Sequence, residues 1–168
     1  GNSQILPYDY HLQTDIELVF REMAEQVAIR LRRKKKKTQL VSIHASYSKI
    51  EGLPSIHCQQ KIEPTQSTKV LSDTVLRLFR SKYEGGAIRQ IGVFYGELVE
   101  ESLQVFSLFD DPIALEKEEK LQQTIDRIRD QFGFTSLQKG SSLLENSRAI
   151  ARSKLTGGHC AGGLDGLT

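Results

Sequence analysis

The first 95 residues alternate between two hydrophobic periods, and this alternation limits the folds that the chain can adopt. Apolar side chains recur at helical spacing from Ile16 to Leu31 and again across residues 67–83. Thr14 and Glu17 match a capping box at the start of the first helix. Four shorter segments have the pattern typical of strands; they are residues 2–6, 39–48, 55–62 and 87–95.

The resulting order, βαββαβ, is the split βαβ arrangement of a ferredoxin-like α+β fold. We expect a four-stranded antiparallel sheet with both helices on one face. Because two helices can cover only that face, the other face must meet water or a partner. Strand alternation places on this open face a set of polar side chains without a carboxylate: Ser42, His44, Ser46, Ser48, His57, Gln59 and Lys61.

The first helix leads directly into the basic run RLRRKKKK. Its cations are Arg30, Arg32, Arg33, Lys34, Lys35, Lys36 and Lys37. Interaction with the helix dipole explains one or two of them at most. An ordinary solvated sheet face and a solvated basic tip are the alternatives. The absence of acids on the open face and the neighbouring basic run favour contact with nucleic-acid phosphates, which does not depend on base sequence.

The charge balance changes sign along the chain. Residues 1–96 carry fifteen Lys and Arg against nine Asp and Glu, a net charge of +6. Residues 97–168 carry eight against twelve, a net charge of −4. We therefore expect different roles for the two parts, with the first part binding a polyanion.

Residues 97–110 are predicted to be a linker and residues 111–168 a tail that is first helical and then glycine-rich. Asp111 can cap a tail helix whose first residue is Pro112. This helix carries an apolar stripe and ends at Gly133; the stripe consists of Leu121, Ile125, Ile128 and Phe132. A second short helix is expected over residues 143–155.

Several other classes of protein receive little support from the sequence. No apolar run approaches the ~20 residues that a membrane helix needs. Cys58 and Cys160 stand in no metal-ligand spacing and fit a reducing cytoplasm. The GHCAG segment matches the spacing of a nucleophile elbow, but it lies near a flexible end and not between a strand and a helix. We expect no metal site, a cytoplasmic location, and a chain that is a fragment of a longer protein.

Several phrases resemble the little-finger domain of Y-family translesion DNA polymerases. They are REMAEQVAIRLRR in the first helix, ASYSK in the second strand and AIRQIGVFY in the last strand. Three later phrases resemble the C-terminal tail of the bacterial UmuC-type branch: QVFSLFDDP, RIRDQFGFTSL and SRAIARSKLTGGHCAGGLDGL. The resemblance covers almost the whole chain.

The resemblance implies a role in DNA repair and SOS mutagenesis, with a domain that grips primer–template DNA beside a catalytic core. Arg89 and Gln90 occupy positions where the family often has paired basic residues at the DNA, although Gln90 departs from that pattern. By the same resemblance, Gln59, Gln60 and Lys61 match the positions at which the family's third strand approaches the template.

The segment QVFSLF resembles the motif by which bacterial replication and repair proteins bind the sliding clamp. Gln104 would form directed hydrogen bonds, Leu108 and Phe109 would fill an apolar pocket, and Phe106 would pack at its rim. The alternative is that these aromatic side chains fold back onto the domain or the tail helix.

Catalysis in this family requires palm carboxylates that hold two Mg²⁺ ions, and these lie upstream of the region that the chain resembles. We therefore expect no catalytic residue and no cofactor in this chain, and a polymerase activity only in the parent protein. A competing hypothesis is a protein-interaction or adaptor module without a DNA role, which the apolar stripe of the tail helix motivates.

Overall fold

The computed structural model of the protein describes residues 1–102 and 111–154. The strands are β1 (Asn2–Tyr10), β2 (Lys36–Tyr47), β3 (Ile56–Thr65) and β4 (Ile88–Glu100). The helices are α1 (Gln13–Arg33), α2 (Thr68–Arg80), α3 (Pro112–Phe132) and α4 (Ala149–Ser153), with short 3₁₀ turns at Phe134–Ser136 and Gly140–Leu143.

The four strands form one antiparallel sheet in the order β1-β4-β2-β3. Each βαβ unit has a strand of the other unit inserted between its own two strands: β4 lies between β1 and β2, and β2 lies between β3 and β4. Helices α1 and α2 both pack on the sheet, and helices follow it along the chain. The predicted α+β fold is confirmed.

The hydrophobic core lies between the sheet and its two helices. Phe20 of α1 and Phe79 of α2 are fully buried, and their ring centroids are 5.0 Å apart. On the sheet side, Val41, Ile43 and Val93 are equally buried. Burying each of these side chains contributes about 1.5–3 kcal/mol, so the core fixes which face of every strand is left open.

All four strands are longer than predicted, and for two of them the position in the sheet explains why. Both β1 and β3 continue past a proline, Pro7 and Pro64 respectively. Each is an edge strand, where a residue without an N–H group is tolerated. Strand β4 continues to Glu100, which pairs with Lys36, so the first residues of the predicted linker belong to the sheet.

Three local predictions are wrong in whole or in part. The second tail helix, predicted over residues 143–155, is limited to Ala149–Ser153 and follows a 3₁₀ turn at Gly140–Leu143. Helix α1 begins at Gln13 with Leu12 at the N-cap, and Thr14 caps nothing. Glu17 instead accepts hydrogen bonds from Nε and Nη2 of Arg80 on α2, at 2.7 and 2.6 Å. Ser48 is buried, because β2 ends at Tyr47 and the Ser48 hydroxyl donates to Asp9 at 2.6 Å.

Helix α3 has the predicted cap and stop but contacts the domain mainly through polar groups. Asp111 accepts a hydrogen bond from the backbone N–H of Ile113, Pro112 begins the helix, and Gly133 follows it with a φ of 90°. The predicted apolar stripe is half-buried at Ile125 and Ile128 and exposed at both ends, Leu121 and Phe132. Arg129 is the buried residue of this helix, and its Nη1 lies 2.8 Å from Glu25 of α1.

The segment after α3 runs back along α1 and reaches β1. Arg152 of α4 is 1% exposed, and its guanidinium donates to Gln4 of β1 and, at 3.2 Å, to Gln26 of α1. Glu22 of α1 accepts hydrogen bonds from Ser147 and from the backbone N–H of Arg148. Burial lowers the pKa of Arg152 to about 10, so its charge persists at neutral pH.

We expect the change Arg152→Met to lower the free energy of unfolding by about 2–4 kcal/mol. It leaves the amide oxygens of half-buried Gln4 and buried Gln26 without their donor and removes the cation near Glu22. Urea denaturation measures this loss, and Lys154→Met, at an exposed position next to α4, is the matched control. A loss below about 0.5 kcal/mol would mean that α4 does not stabilise the domain.

Candidate nucleic-acid interface

The open face of the sheet carries cross-strand rows of polar side chains. Ser42 of β2 lies opposite Gln59 of β3, and His44 lies opposite His57. On the other side of β2, Ser46 pairs with Gln90 of β4. The structure therefore brings six predicted residues onto one face; they are Ser42, His44, Ser46, His57, Gln59 and Gln90. None of the described residues in these rows is a carboxylate.

The central β4 residues of this face, Gly92 and Phe94, were not among the predicted site residues. Gly92 lies opposite His44, and Phe94 lies opposite Ser42 with 43% of its surface exposed. On the far side of β4, Ser3 of β1 pairs with Gly92 and Ile5 pairs with Gln90. Alternation along β4 could have identified Phe94, because Phe94 lies four residues after Gln90 and so on the same face.

The two histidines of the face form a contacting pair. The ring centroids of His44 and His57 are 4.6 Å apart, and Nε2 of His44 lies 2.9 Å from the Ser46 hydroxyl. Partial burial, and secondly the neighbouring His57, lower the pKa of His44. Both effects favour the neutral form of the His44 imidazole in the free protein.

Four lysines are here called the basic turn: Lys34 and Lys35, which connect α1 to β2, and Lys36 and Lys37, which begin β2. Lys34 and Lys35 are exposed, and Lys35 has a φ of 51° that allows the tight reversal. Lys36 forms an ion pair with Glu100 at the end of β4. The two exposed lysines can contact a polyanion without first breaking a described ion pair.

The arginines of the basic run are paired with carboxylates of the tail or partly buried. The Arg32 guanidinium binds Asp126 of α3, with Nη2 to Oδ1 at 3.0 Å, and also donates to the backbone oxygen of Gln66 and the Thr68 hydroxyl. Arg33 forms an ion pair with Asp130 of α3. Arg30 is half-buried, and burial lowers its pKa. Arg32 in particular holds the tail on the domain.

Two further predicted cations, Lys61 of β3 and Arg89 of β4, each lie beside a carboxylate. Nζ of Lys61 is 3.1 Å from Glu97, and Nη1 of Arg89 is 3.6 Å from Asp9. Both cations are substantially exposed. Such exposed pairs stabilise a fold by about 0–1 kcal/mol, so a phosphate can compete with the carboxylate.

The remaining predicted site residues fall outside the described residues. The clamp-binding motif of Gln104, Phe106, Leu108 and Phe109 lies outside the described ranges, as does Cys160. Within residues 1–102 and 111–154, no group of three or more His, Cys, Asp or Glu could hold a metal ion. In the same ranges, no helix has both the length and the apolar character that crossing a membrane requires.

Comparison with known proteins identifies relatives along almost the whole chain. UvrX of Bacillus subtilis strain 168, named as a UV-damage repair protein, is 33% identical over 160 residues, which is 95% of this chain and 38% of UvrX. DNA polymerase IV 2 of the same organism is 30% identical over 161 residues, again 95% of this chain. DNA polymerase IV of Acetivibrio thermocellus is 28% identical over 159 residues, 90% of this chain.

The chain spans about 38% of the length of these relatives. Residues 1–108 match the model of the impB/mucB/samB family C-terminal domain, which covers the sheet, its two helices and the segment that follows β4. These findings confirm the resemblance to the C-terminal part of Y-family DNA polymerases. The chain therefore belongs to the impB/mucB/samB family, with residues 1–108 as its C-terminal domain.

Proposed function

We propose that this chain is the DNA-gripping and clamp-tethering C-terminal part of an error-prone translesion DNA polymerase. The observation that carries the proposal is the carboxylate-free centre of the open sheet face, on the strand β2 that the basic turn begins. Hydroxyls, amides and imidazoles can donate hydrogen bonds to phosphates there without repulsion from nearby acids. The relatives named as polymerases and as a repair protein support the same role.

In this proposal the parent protein is a DNA-directed DNA polymerase of DNA repair and the SOS response, located in the cytoplasm. Its catalytic core, with palm carboxylates and two Mg²⁺ ions, corresponds to the larger part of the relatives that this chain does not span. This chain then contributes affinity for primer–template DNA and for the sliding clamp, and it does not incorporate nucleotides by itself.

A salt titration tests the DNA-binding part of the proposal. Fluorescently labelled primer–template duplexes of unrelated sequence are titrated with the protein at several salt concentrations. We expect similar affinities for all sequences and an affinity that falls steeply with salt. The competing hypothesis is a protein-interaction module, which the exposed Leu121 and Phe132 of α3 would suit. If that hypothesis is correct, the chain shows no affinity for DNA in this experiment.

The histidine pair predicts a pH dependence of DNA binding. In the free protein the pKa of His44 is lowered, whereas phosphates in the complex favour the protonated imidazole and raise this pKa. DNA affinity should therefore increase as the pH falls, by about threefold to tenfold between pH 7.5 and pH 5.5. Binding curves at fixed ionic strength measure the effect.

The double variant His44→Gln, His57→Gln should lose this pH dependence, and His11→Gln, at an exposed position outside the open face, should retain it. A pH-independent affinity of the unchanged protein, or an unaltered pH dependence in the double variant, would exclude the histidine pair from the interface.

A further inference from the structure

Phe94 is an aromatic side chain near the centre of an otherwise polar face. It lies on β4, an interior strand of the sheet, and 43% of its surface is exposed. A single exposed apolar residue needs no explanation. The residues around this ring, however, form a depression of the kind that binds a ligand.

The Phe94 ring lies against Gly92, two residues earlier on the same face. A β-carbon at Gly92 would lie 2.9 Å from Cε2 of Phe94 and 3.3 Å from Cβ of Ser3, which is too close for a real side chain. The Phe94 ring can therefore occupy this position only because Gly92 has no side chain. Around it is an open depression of about 470 Å³, lined among others by Ser3, Ser42, Gln59 and Gln90.

The paired rings of His44 and His57 form another part of this lining. His44 lies directly opposite Gly92, so the depression has Phe94 on one flank and imidazoles on another. Gln59 and Gln90 add amide groups that can both donate and accept hydrogen bonds. The lining thus offers ring surfaces for stacking and mixed polar groups for the edge of a planar molecule.

A nucleobase has this combination of a flat aromatic face and a hydrogen-bonding edge. The lining residues carry no carboxylate that would repel the attached phosphates. Bases in a duplex have their faces covered by their neighbours, whereas unpaired bases can stack on protein aromatic rings. We propose that the depression at Gly92 is a nucleobase subsite, in which an unpaired base of single-stranded DNA stacks on Phe94 and meets Gln59 or Gln90.

This inference rests on the proposed function and adds a preference for single-stranded DNA next to the duplex. The test compares how the unchanged protein and its variants bind two oligonucleotides of equal charge. These are a twelve-nucleotide oligothymidylate and a twelve-residue abasic strand. The unchanged protein should bind the thymidylate about tenfold more tightly than the abasic strand. Phe94→Ala should bind both strands equally, and Phe94→Leu, which keeps apolar bulk without a π face, should lose most of the preference.

Gly92→Val is the second variant, because its side chain takes up the space against which the Phe94 ring packs and so displaces the ring from the depression. It should lose the preference as well, and thermal denaturation checks that all variants are folded. A preference that persists in folded Phe94→Ala overturns the subsite. An equal loss of affinity for a blunt duplex also overturns it, because Phe94 would then contact paired DNA.

The outcome separates this inference from the proposed function. If the protein binds both strands with strong salt dependence but without a preference for bases, DNA binding stands and the subsite is wrong. If the unchanged protein binds neither strand and no duplex, the proposed function itself fails and the subsite fails with it.

Discussion

Replacing all four lysines of the basic turn, residues 34–37, with alanine should weaken DNA binding at low salt by about a hundredfold or more. Each lost phosphate contact also lowers the slope of log affinity against log salt by about 0.9. Lys34 and Lys35 are exposed, and Lys36 can exchange Glu100 for a phosphate. The loss should be about equal for all DNA sequences, because phosphate contacts carry no sequence information.

A second variant with the same change in net charge controls for long-range electrostatics. It replaces four exposed lysines of α2, α3 and the end of α4, namely Lys69, Lys117, Lys120 and Lys154. This control should weaken binding only slightly and keep most of the salt slope. Equal losses in the two variants would mean that overall charge, and not the basic turn, determines the affinity.

Replacing Gln104, Leu108 and Phe109 together with alanine should abolish binding to a bacterial sliding clamp. We expect the unchanged protein to bind with micromolar affinity, about −8 kcal/mol. Withdrawing a leucine and a phenylalanine from an apolar pocket costs about 1.5–3 kcal/mol each, so the affinity falls by more than about a hundredfold. Calorimetric titration of the clamp measures it.

Ser107→Ala is the matched control, because it changes the same segment at a position to which no clamp contact is assigned. It should bind the clamp like the unchanged protein, and the triple variant should keep its affinity for DNA. Clamp binding that survives the triple change, or no binding by the unchanged protein, would remove clamp tethering from the proposal and leave DNA binding intact.

The fold was predictable because the apolar residues that recur at helical or strand spacing in the sequence are also the residues that the core buries. The apolar residues of α1 and of β2 are the ones that the core buries, from Phe20 to Val41 and Ile43. Strand ends were less predictable. A proline ends a strand only where a neighbouring strand would accept a hydrogen bond from the N–H group that proline lacks. Pro7 and Pro64 lie in edge strands, and the sequence does not reveal which strands lie at the edges.

The candidate site was predictable to the extent that strand alternation determines it. Alternation placed Ser42, His44 and Gln59 on one face, and the sheet pairs them there. It could not predict that Arg32 binds Asp126, because that partner lies 94 residues away and on a different helix. A local run of cations does not distinguish side chains that meet solvent from those that meet a distant carboxylate.

Burial in the tail was likewise not predictable from local sequence patterns. Arg152 is charged and would be expected at the surface, yet it is buried against Gln4 and Gln26. Conversely, Leu121 and Phe132 lie in an apolar stripe and are exposed. Both outcomes depend on where the tail crosses the domain, and that path follows from tertiary contacts that no local pattern encodes.

The most direct test of the central claim is to map backbone amide chemical shifts while a primer–template duplex is added to the protein. The proposed interface predicts that the changes concentrate on the basic turn and on the open-face strands around His44, Gln59 and Gln90. Amides of α2 and α3 should change little. Changes centred on α3, or no changes at DNA concentrations far above micromolar, would contradict a DNA interface on the open sheet face.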